Sequence, residues 1–163
     1  MSEVDLAYGT PFTRAAIEAI IPHRPPFIFV DEIVELEPGR RAVGVIHDVA
    51  AFHDLLAGHF PNFPVMPGAL LVEALAEVGA VAALVLPENR GKIAMLTGLD
   101  GWRFRKPALP GCQVRLEATL VARRSNYGKG HAVATSGGAV LAEGDISFAI
   151  VPRPAELDGR GAD

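Results

Sequence analysis

The longest apolar stretch of the chain covers residues 67–86, in which Glu73 and Glu77 are the only charged residues. Pro67 fits the first turn of a helix, so this stretch predicts a helix that is apolar on nearly every side. At ~1.5 Å per residue such a helix could also just cross a bilayer. Two carboxylates in its first half, with no Lys or Arg immediately before it, instead favour a helix wrapped by protein.

Six further segments combine apolar or β-branched residues with turn signals at their ends, as is typical of strands. They cover residues 27–36, 41–49, 92–104, 113–123, 131–136 and 139–150. The first two flank a turn at 37–39 and predict a hairpin. Turn signals at 107–111, 125–130 and 137–138 separate the last four, which predicts an antiparallel meander with a tight hairpin at Gly137-Gly138.

The remaining segments predict a short helix at residues 10–21, which Pro22 ends, and a loop at 51–67. Residues 152–163 contain Pro, Gly and charge with little apolar content, and they predict a flexible tail. No repeat or linker divides the rest of the sequence. We therefore expect one domain over residues 1–151.

One buried helix wrapped by about six antiparallel strands is a two-layer α+β architecture. The best-known arrangement of this kind is the hot-dog fold, with a long central helix inside an antiparallel sheet. Pairing of edge strands across a two-fold axis would cover the exposed sheet edges, so we expect a homodimer.

Composition and charge narrow the functional classes. The chain has 163 residues, of which 50% are hydrophobic, enough for one sizeable core. A net charge of -4 gives no broad positive field for non-specific nucleic-acid binding. Cys112 is the only cysteine, which excludes an intrachain disulfide and suggests a reducing cytoplasm. The first ten residues lack the basic and apolar regions of a signal peptide, so secretion is not expected.

Glu73 and His59 are the candidates for acid–base chemistry. Glu73 lies in the second turn of the predicted helix, where a carboxylate among hydrocarbon is costly unless it is paired, protonated or reached through a pocket. The alternative is a glutamate on a solvated stripe of the helix. His59 could share acid and base work with Glu73 near neutral pH, or it could be a loop histidine satisfied by backbone. Glu77, one turn after Glu73, fits either interpretation.

Three histidines close together in the sequence raise the question of a metal site. His47, His53 and His59 occur with Asp48 and Asp54. Their six-residue spacing fits no zinc motif, and at least two of them should lie on different elements. We therefore predict no metal.

Seven short motifs carry a resemblance to a known family. They are Pro22-His23-Arg24-Pro25-Pro26-Phe27, Val30-Asp31, Gly58-His59-Phe60-Pro61, Pro64-Val65-Met66-Pro67-Gly68, Glu73-Ala74-Leu75-Ala76, Arg103-Phe104-Arg105-Lys106-Pro107 and Pro110-Gly111. In this order and spacing, from about residue 21 to 151, the chain resembles the 3-hydroxyacyl-acyl-carrier-protein dehydratases of the FabZ type.

The resemblance implies a hot-dog fold, a dimer or trimer of dimers, and removal of water from a 3-hydroxyacyl thioester to give the trans-2-enoyl thioester in fatty-acid elongation. It implies a site between subunits, with His59 of one chain as the base and protonated Glu73 of the other as the acid. The substrate would be carried by an acyl-carrier protein, and no cofactor would be needed.

Further site residues follow by position. Gly68 begins the predicted helix, where unpaired backbone N–H groups can stabilise a thioester oxyanion; the alternative is that it only permits a tight turn. The predicted lining of the substrate pocket is Phe60, Phe63, Pro67 and Glu77. Three features depart from the family pattern: Asn62-Phe63 replaces Gly-Asn, Glu77 replaces Gln, and Cys112 replaces Asp. Phe63 could narrow the acyl tunnel, and repulsion from Glu77 could raise the pKa of Glu73.

Acyl-carrier proteins are acidic, so a local basic patch is expected. Arg103, Arg105 and Lys106 are the candidates for docking, and ordinary solvated charge at a strand end is the alternative. Two other functions stay open: a hot-dog thioesterase or coenzyme-A-linked hydratase, and a non-catalytic homologue that binds an acyl carrier. The helix acid is Glu rather than Asp, which favours dehydration without isomerisation of the double bond.

Overall fold

A long helix packs against a seven-stranded sheet in the computed structural model, which describes residues 11–158. The strands are β1 (Phe12–Thr13), β2 (Glu32–Glu37), β3 (Arg41–Ile46), β4 (Lys92–Phe104), β5 (Val114–Arg124), β6 (Tyr127–Ser136) and β7 (Ala139–Pro152). The helices are α1 (Arg14–Ile20), α2 (His53–Leu56) and α3 (Gly68–Leu84), with 3-10 turns at Val49–Phe52, Pro87–Asn89 and Ala155–Asp158.

The strand order is β1-β2-β3-β5-β6-β7-β4, and every neighbouring pair is antiparallel. The α+β class and the wrapped helix are confirmed, with seven strands instead of about six because the two-residue β1 extends one edge. The predicted meander of the last four strands is wrong in one respect. Since α3 crosses the sheet before β4 begins, β4 pairs with β7 at the far edge, and β5 pairs with β3.

α3 forms the centre of the core, as the sequence predicts. It is 17 residues long and packs mainly on β5. Its buried residues lie on nearly all sides: Leu71, Val72, Ala74, Leu75, Glu77, Val78, Val81, Ala82, Ala83 and Leu84. Within residues 11–158, no helix combines the length and hydropathy needed to cross a membrane.

The first predicted strand begins later than expected, because β2 starts at Glu32 rather than at residue 27. Ile28, Phe29 and Val30 are buried but not in a strand. The N–H groups of Phe29 and Val30 donate to the side chain of Glu77 in α3 instead of to a neighbouring strand. An apolar, β-branched segment is thus held by a helix side chain, which the local sequence does not indicate.

The turn between β5 and β6 is shorter than predicted. Residues 125–126 form the turn, and β6 begins at Tyr127. Gly128 pairs with Phe148 of β7, and the strand requires glycine there because a Cβ would lie 2.2 Å from Cζ of Phe148. The predicted hairpin at Gly137-Gly138 is confirmed, and both glycines have the positive φ that such a tight turn requires.

The predicted loop at 51–67 contains α2 and then runs irregularly to α3. The predicted N-terminal helix is present as α1, although Thr10 lies outside the described residues. In the predicted tail, Ala155–Asp158 form a 3-10 turn, and residues 159–163 lie outside the described part of the chain.

Within residues 11–158, β4 is one of the two edge strands of the sheet, and it exposes several large apolar side chains. Among the described strands β4 pairs with β7 alone, and four of its large apolar side chains are about half exposed. They are Met95, Leu96, Leu99 and Phe104. A 13-residue edge strand with four exposed large apolar side chains is a surface that proteins usually cover.

Candidate active site

His59 is anchored by the segment that contains it. Its Nδ1 lies 2.9 Å from the carbonyl oxygen of Val65, while the Val65 N–H donates to the carbonyl of His59 at 2.9 Å. Because a carbonyl only accepts, the ring proton of neutral His59 must be on Nδ1. Nε2 therefore keeps its lone pair, which is the form that a general base needs. The ring stacks on Phe60 at a centroid distance of 4.4 Å, across a cis peptide bond.

Glu73 lies in the second turn of α3 and is neither free nor buried. Its side chain is 25% exposed, and Oε1 lies 3.0 Å from Nε2 of His23. The structure thus pairs the predicted acid with a histidine that the sequence analysis did not select as a site residue. His23 was visible only as part of the motif at 22–27, and nothing local in the sequence indicates that this segment meets α3.

Glu77 is 1% exposed, so the interpretation that places Glu77 on a solvated stripe of the helix is wrong. Its carboxylate accepts the N–H of Phe29 at 2.9 Å and that of Val30 at 3.1 Å. Burial raises the pKa of Glu77 to about 7, although the bonds from Phe29 and Val30 act in the opposite direction. A carboxyl that is substantially protonated near neutral pH therefore lies one turn from Glu73.

Three cavities surround these residues. The His59 cavity is lined in part by His59, Met66, Gly68, Phe104, Arg105 and Lys106. The Glu73 cavity is lined in part by Gly68, Val72, Glu73, Leu99, Trp102 and Phe104. The helix cavity, which is mostly apolar, follows α3 inward and is lined in part by Glu73, Ala76, Glu77, Gly79, Leu120 and Phe148.

His59 and Glu73 therefore open into different cavities of one chain, and no hydrogen bond joins them. The two cavities share Gly68 and Phe104. Glu73 also lines the helix cavity, so this carboxyl lies where a surface depression meets an apolar interior space. One chain alone does not bring the predicted acid and base together.

Gly68 is the first residue of α3, and Pro67 before it offers no side-chain cap. Among residues 11–158 the N–H groups of Gly68 and Ala69 have no hydrogen-bond acceptor, whereas Leu70 donates to the Pro67 carbonyl. A Cβ on Gly68 would lie 2.7 Å from Cε1 of Phe104. Glycine at this position therefore permits the contact with Phe104, and its N–H remains available as a donor.

The structure separates the other predicted pocket residues. Glu77 lines the helix cavity. Phe60 and Phe63 are more than half exposed, in a turn closed by two hydrogen bonds between their own backbones. Together with Pro67, they lie outside the three cavities described above, and their contact with substrate stays a prediction.

Two of the three predicted docking residues flank the His59 cavity. Arg105 and Lys106 line it, and both are exposed. Nε of Arg105 donates to Oε1 of Glu143 at 2.7 Å, so its charge is partly neutralised. Lys106 has no side-chain partner within residues 11–158. Arg103 is exposed on β4, and its side chain contacts the carbonyl of Trp102.

The histidine cluster considered for a metal is dispersed, because His47 pairs with Glu32 and His53 with Asp54. Within residues 11–158, the only group of three or more His, Cys, Asp or Glu residues with potential ligand atoms all within 4.8 Å of one another is His23, Glu73 and Glu77. Nε2 of His23 already bonds Oε1 of Glu73, and the Glu77 carboxylate accepts from the backbone of Phe29 and Val30.

Comparison with known proteins decides the family. A family model described as "FabA-like domain" matches residues 21–145. The chain belongs to the FabA-like family. The FabA-like chain is 56% identical over 138 residues to a relative from Roseiflexus sp. (strain RS-1), covering 85% of this chain and 96% of that protein. It is 52% identical over 139 residues to one from Geobacillus thermodenitrificans (strain NG80-2), covering 85% and 95%. Both are named "3-hydroxyacyl-[acyl-carrier-protein] dehydratase FabZ".

Solved structures confirm the fold. The dehydratase heterocomplex ApeI:P from Xenorhabdus doucetiae matches 90% of this FabA-like chain and 97% of its own with a TM-score of 0.71 at 15% identity. Cj0977, a sigma28-regulated virulence protein from Campylobacter jejuni, matches 87% and 92% with a TM-score of 0.64 at 14% identity. These likenesses support the hot-dog architecture and say nothing further about chemistry.

Proposed function

We propose that the chain is a 3-hydroxyacyl-acyl-carrier-protein dehydratase, a hydro-lyase that forms the trans-2-enoyl thioester in fatty-acid elongation in the cytoplasm. The observation that carries the proposal is the identity of more than 50% with relatives of that name over more than four fifths of the chain. The geometry supports it, because His59 keeps a basic nitrogen and Glu73 faces both a depression and an apolar cavity.

The reaction needs one base and one acid. Nε2 of His59 removes the proton from C2 of the substrate, and the electrons of that bond form the C2–C3 double bond. The C3–O bond breaks, and protonated Glu73 donates its proton so that the hydroxyl leaves as water. Negative charge gathers on the thioester oxygen during proton removal, and the unpaired N–H of Gly68 donates to it at the start of α3.

The acid and base come from different subunits in this proposal. The apolar edge of β4 pairs with the same edge of a second copy, which covers the exposed side chains of Leu96 and Leu99. Phe104 lies on this strand and lines both the His59 and the Glu73 cavities. Pairing along β4 therefore brings the two kinds of cavity into one interface, and three such dimers can associate further.

The helix cavity takes the acyl chain, because it leads from Glu73 along apolar residues of α3 and the sheet. The carrier protein docks at Arg103, Arg105 and Lys106, two of which flank the His59 cavity. An acidic carrier would thereby deliver the thioester next to the base.

The test is incubation of the protein with 3-hydroxybutyryl and crotonyl thioesters of an acyl-carrier protein. We expect reversible interconversion of the two, and a loss of about 100-fold or more in kcat for His59→Ala and for Glu73→Gln. Both variants should keep the far-ultraviolet circular dichroism spectrum of the wild-type protein, which shows that they are folded. Release of free thiol would indicate a thioesterase, and carrier binding without turnover would indicate a non-catalytic homologue. Near wild-type turnover in either variant would contradict the assigned pair.

A further inference from the structure

His23 contacts the proposed acid, and the mechanism above does not use it. The residue follows α1 and Pro22, and its ring is 24% exposed. Nε2 lies 3.0 Å from Oε1 of Glu73, while Oε2 of Glu73 has no hydrogen-bond partner within residues 11–158. One carboxyl oxygen is thus tied to the protein. The other is the oxygen left to meet a ligand in the cavities that Glu73 lines.

Glu77 and Arg24 act electrostatically on this pair, and His131 of β6 lines the same cavity. Glu77 lies one turn further along α3, held by the N–H groups of Phe29 and Val30. Arg24, the next residue after His23, donates to the carbonyls of Ile21 and His23 and lies 3.9 Å from Glu18 of α1. The hydrogen bond to Glu73 raises the pKa of His23, burial opposes this, and the charge of Glu77 raises it further. The net shift is upward.

We propose that His23 is a positioning residue for dehydration, a role that rests on the proposed function. Its Nε2–H fixes Oε1 of Glu73, so that Oε2 carries the proton toward the leaving hydroxyl. Nδ1 of His23 is buried without a partner among the described residues. The bond to Glu73 is therefore the polar contact that orients this ring within the described part of the chain.

The pair also stores the proton that the reaction consumes. Neutral His23 with protonated Glu73 contains the same number of protons as the imidazolium with the carboxylate, so either form of the pair holds the one proton that the leaving hydroxyl needs. When the C3–O bond breaks, one proton leaves the pair in the water formed, and His59 holds the proton from C2. Exchange with solvent then restores both sites. The hydrogen bond to Glu73 raises the pKa of His23, so the ring keeps its proton to higher pH than an unpaired imidazole does.

Two variants separate positioning from proton storage. His23→Phe removes the donor and should lower kcat about 10- to 100-fold at every pH, with little change in KM. His23→Gln keeps an N–H at a similar reach but cannot titrate near neutral pH. It should recover most of kcat at the acidic end, and the alkaline limb of its pH profile should move toward lower pH.

His47→Leu is the matched control, because Nε2 of His47 lies at the same 3.0 Å from a carboxylate, that of Glu32, but on an exposed surface. We expect its kcat and pH profile to equal those of the wild-type protein. Retention of kcat by His23→Phe would overturn the proposal. So would an equal loss in the Phe and Gln variants at all pH values, which would indicate a structural role.

A readout independent of activity is the titration of the His23 ring by nuclear magnetic resonance. Removal of the carboxylate in Glu73→Gln should lower the pKa of His23, and an unchanged pKa would overturn the pairing itself. If the shift is present but the wild-type protein does not dehydrate its substrate, the proposed function fails, because the pair then exists without the reaction.

Discussion

The carboxyl group of Glu77 is almost fully buried and accepts hydrogen bonds from two backbone N–H groups. Its pKa is about 7 in the folded protein, above the ordinary value of 4.5. A carboxyl whose pKa is raised by folding binds a proton more tightly in the folded state than in the unfolded state. Its stabilising contribution is therefore complete below about pH 4.5 and is lost as the pH rises through about 7.

We predict that Glu77→Gln removes this pH dependence. The Glu77 contribution to the free energy of unfolding should fall by about 3 kcal/mol between pH 4.5 and 8 in the wild-type protein, and it should be absent in the variant. Urea denaturation at a series of pH values measures the difference. Glu88→Gln, which changes an exposed glutamate, serves as the control and should keep the wild-type slope. Equal slopes for wild type and Glu77→Gln would contradict the assignment.

The sequence could identify Glu73, Glu77 and His59 as unusual, because charge in an apolar helix and a histidine in a proline-rich loop are visible locally. It could not show what satisfies them. The partners of Glu73 and Glu77 are His23 and the backbone of Phe29 and Val30, about 50 residues away in the chain. Such contacts depend on tertiary packing, which residue patterns do not contain.

At the scale of elements, two glycines have opposite roles in the packing of α3 on the sheet. A Cβ on Gly44 of β3 would lie 2.7 Å from Cγ2 of Val78 and 2.8 Å from Cγ1 of Val30. A Cβ on Gly79 of α3 would meet Ala118 at an ordinary 3.6 Å. Gly44 therefore sets the distance between helix and sheet, whereas Gly79 only lowers the stability of the helix.

We therefore predict opposite effects of the same substitution. Gly44→Ala should destabilise the protein by about 1–3 kcal/mol, because the core must shift to admit the methyl group. Gly79→Ala should stabilise it by up to about 1 kcal/mol through helix propensity. Thermal and urea unfolding of both variants measure the effects. Equal shifts of the same sign would contradict the close contact at Gly44.

Helices and strands that are determined by their own local residues could be predicted from the sequence. The bounds of β4 agree with the prediction, and α3 differs by one residue at its start and two at its end. Errors arose where a distant residue decides the local structure. Glu77 takes the hydrogen bonds of the segment before β2, and Gly128 pairs in β6 with Phe148, whose ring leaves no room for a side chain there.

At the scale of the whole molecule, the separate cavities of His59 and Glu73 predict complementation between inactive chains. Mixing His59→Ala with Glu73→Gln protein, after verified subunit exchange, should restore part of the activity because some dimers contain one intact site. The dehydration assay measures the recovery. A mixture of two His59→Ala preparations is the control and should stay inactive. Exchange without recovery would indicate a site within one chain.

Docking of an acidic carrier gives a second prediction at this scale. Lys106→Glu should raise KM for the carrier-bound substrate more than for a small thioester, with little change in kcat. The effect should weaken with added salt, since the Debye length is already ~10 Å at 0.1 M. Lys106 is a cleaner test than Arg105, whose reversal would also set two carboxylates together at Glu143.

Arg90→Glu provides the control for this experiment, because Arg90 is exposed beyond the opposite end of α3. It makes the same charge change and should leave both KM values near those of the wild-type protein. Equal losses on both substrates for Lys106→Glu would show that this side chain supports the cavity instead of the carrier.

The anchoring of His59 by its own segment has a consequence for protein engineering. Its ring and backbone are fixed by Val65 and Leu56, within ten residues of sequence, whereas Glu73 is fixed by the distant His23. The base and the acid are thus held by separate segments, and their cavities share Gly68 at the start of α3 and Phe104 of β4. The loop around His59 can be diversified in a library while the segments that hold the acid stay intact, which makes this scaffold a starting point for new base-catalysed reactions.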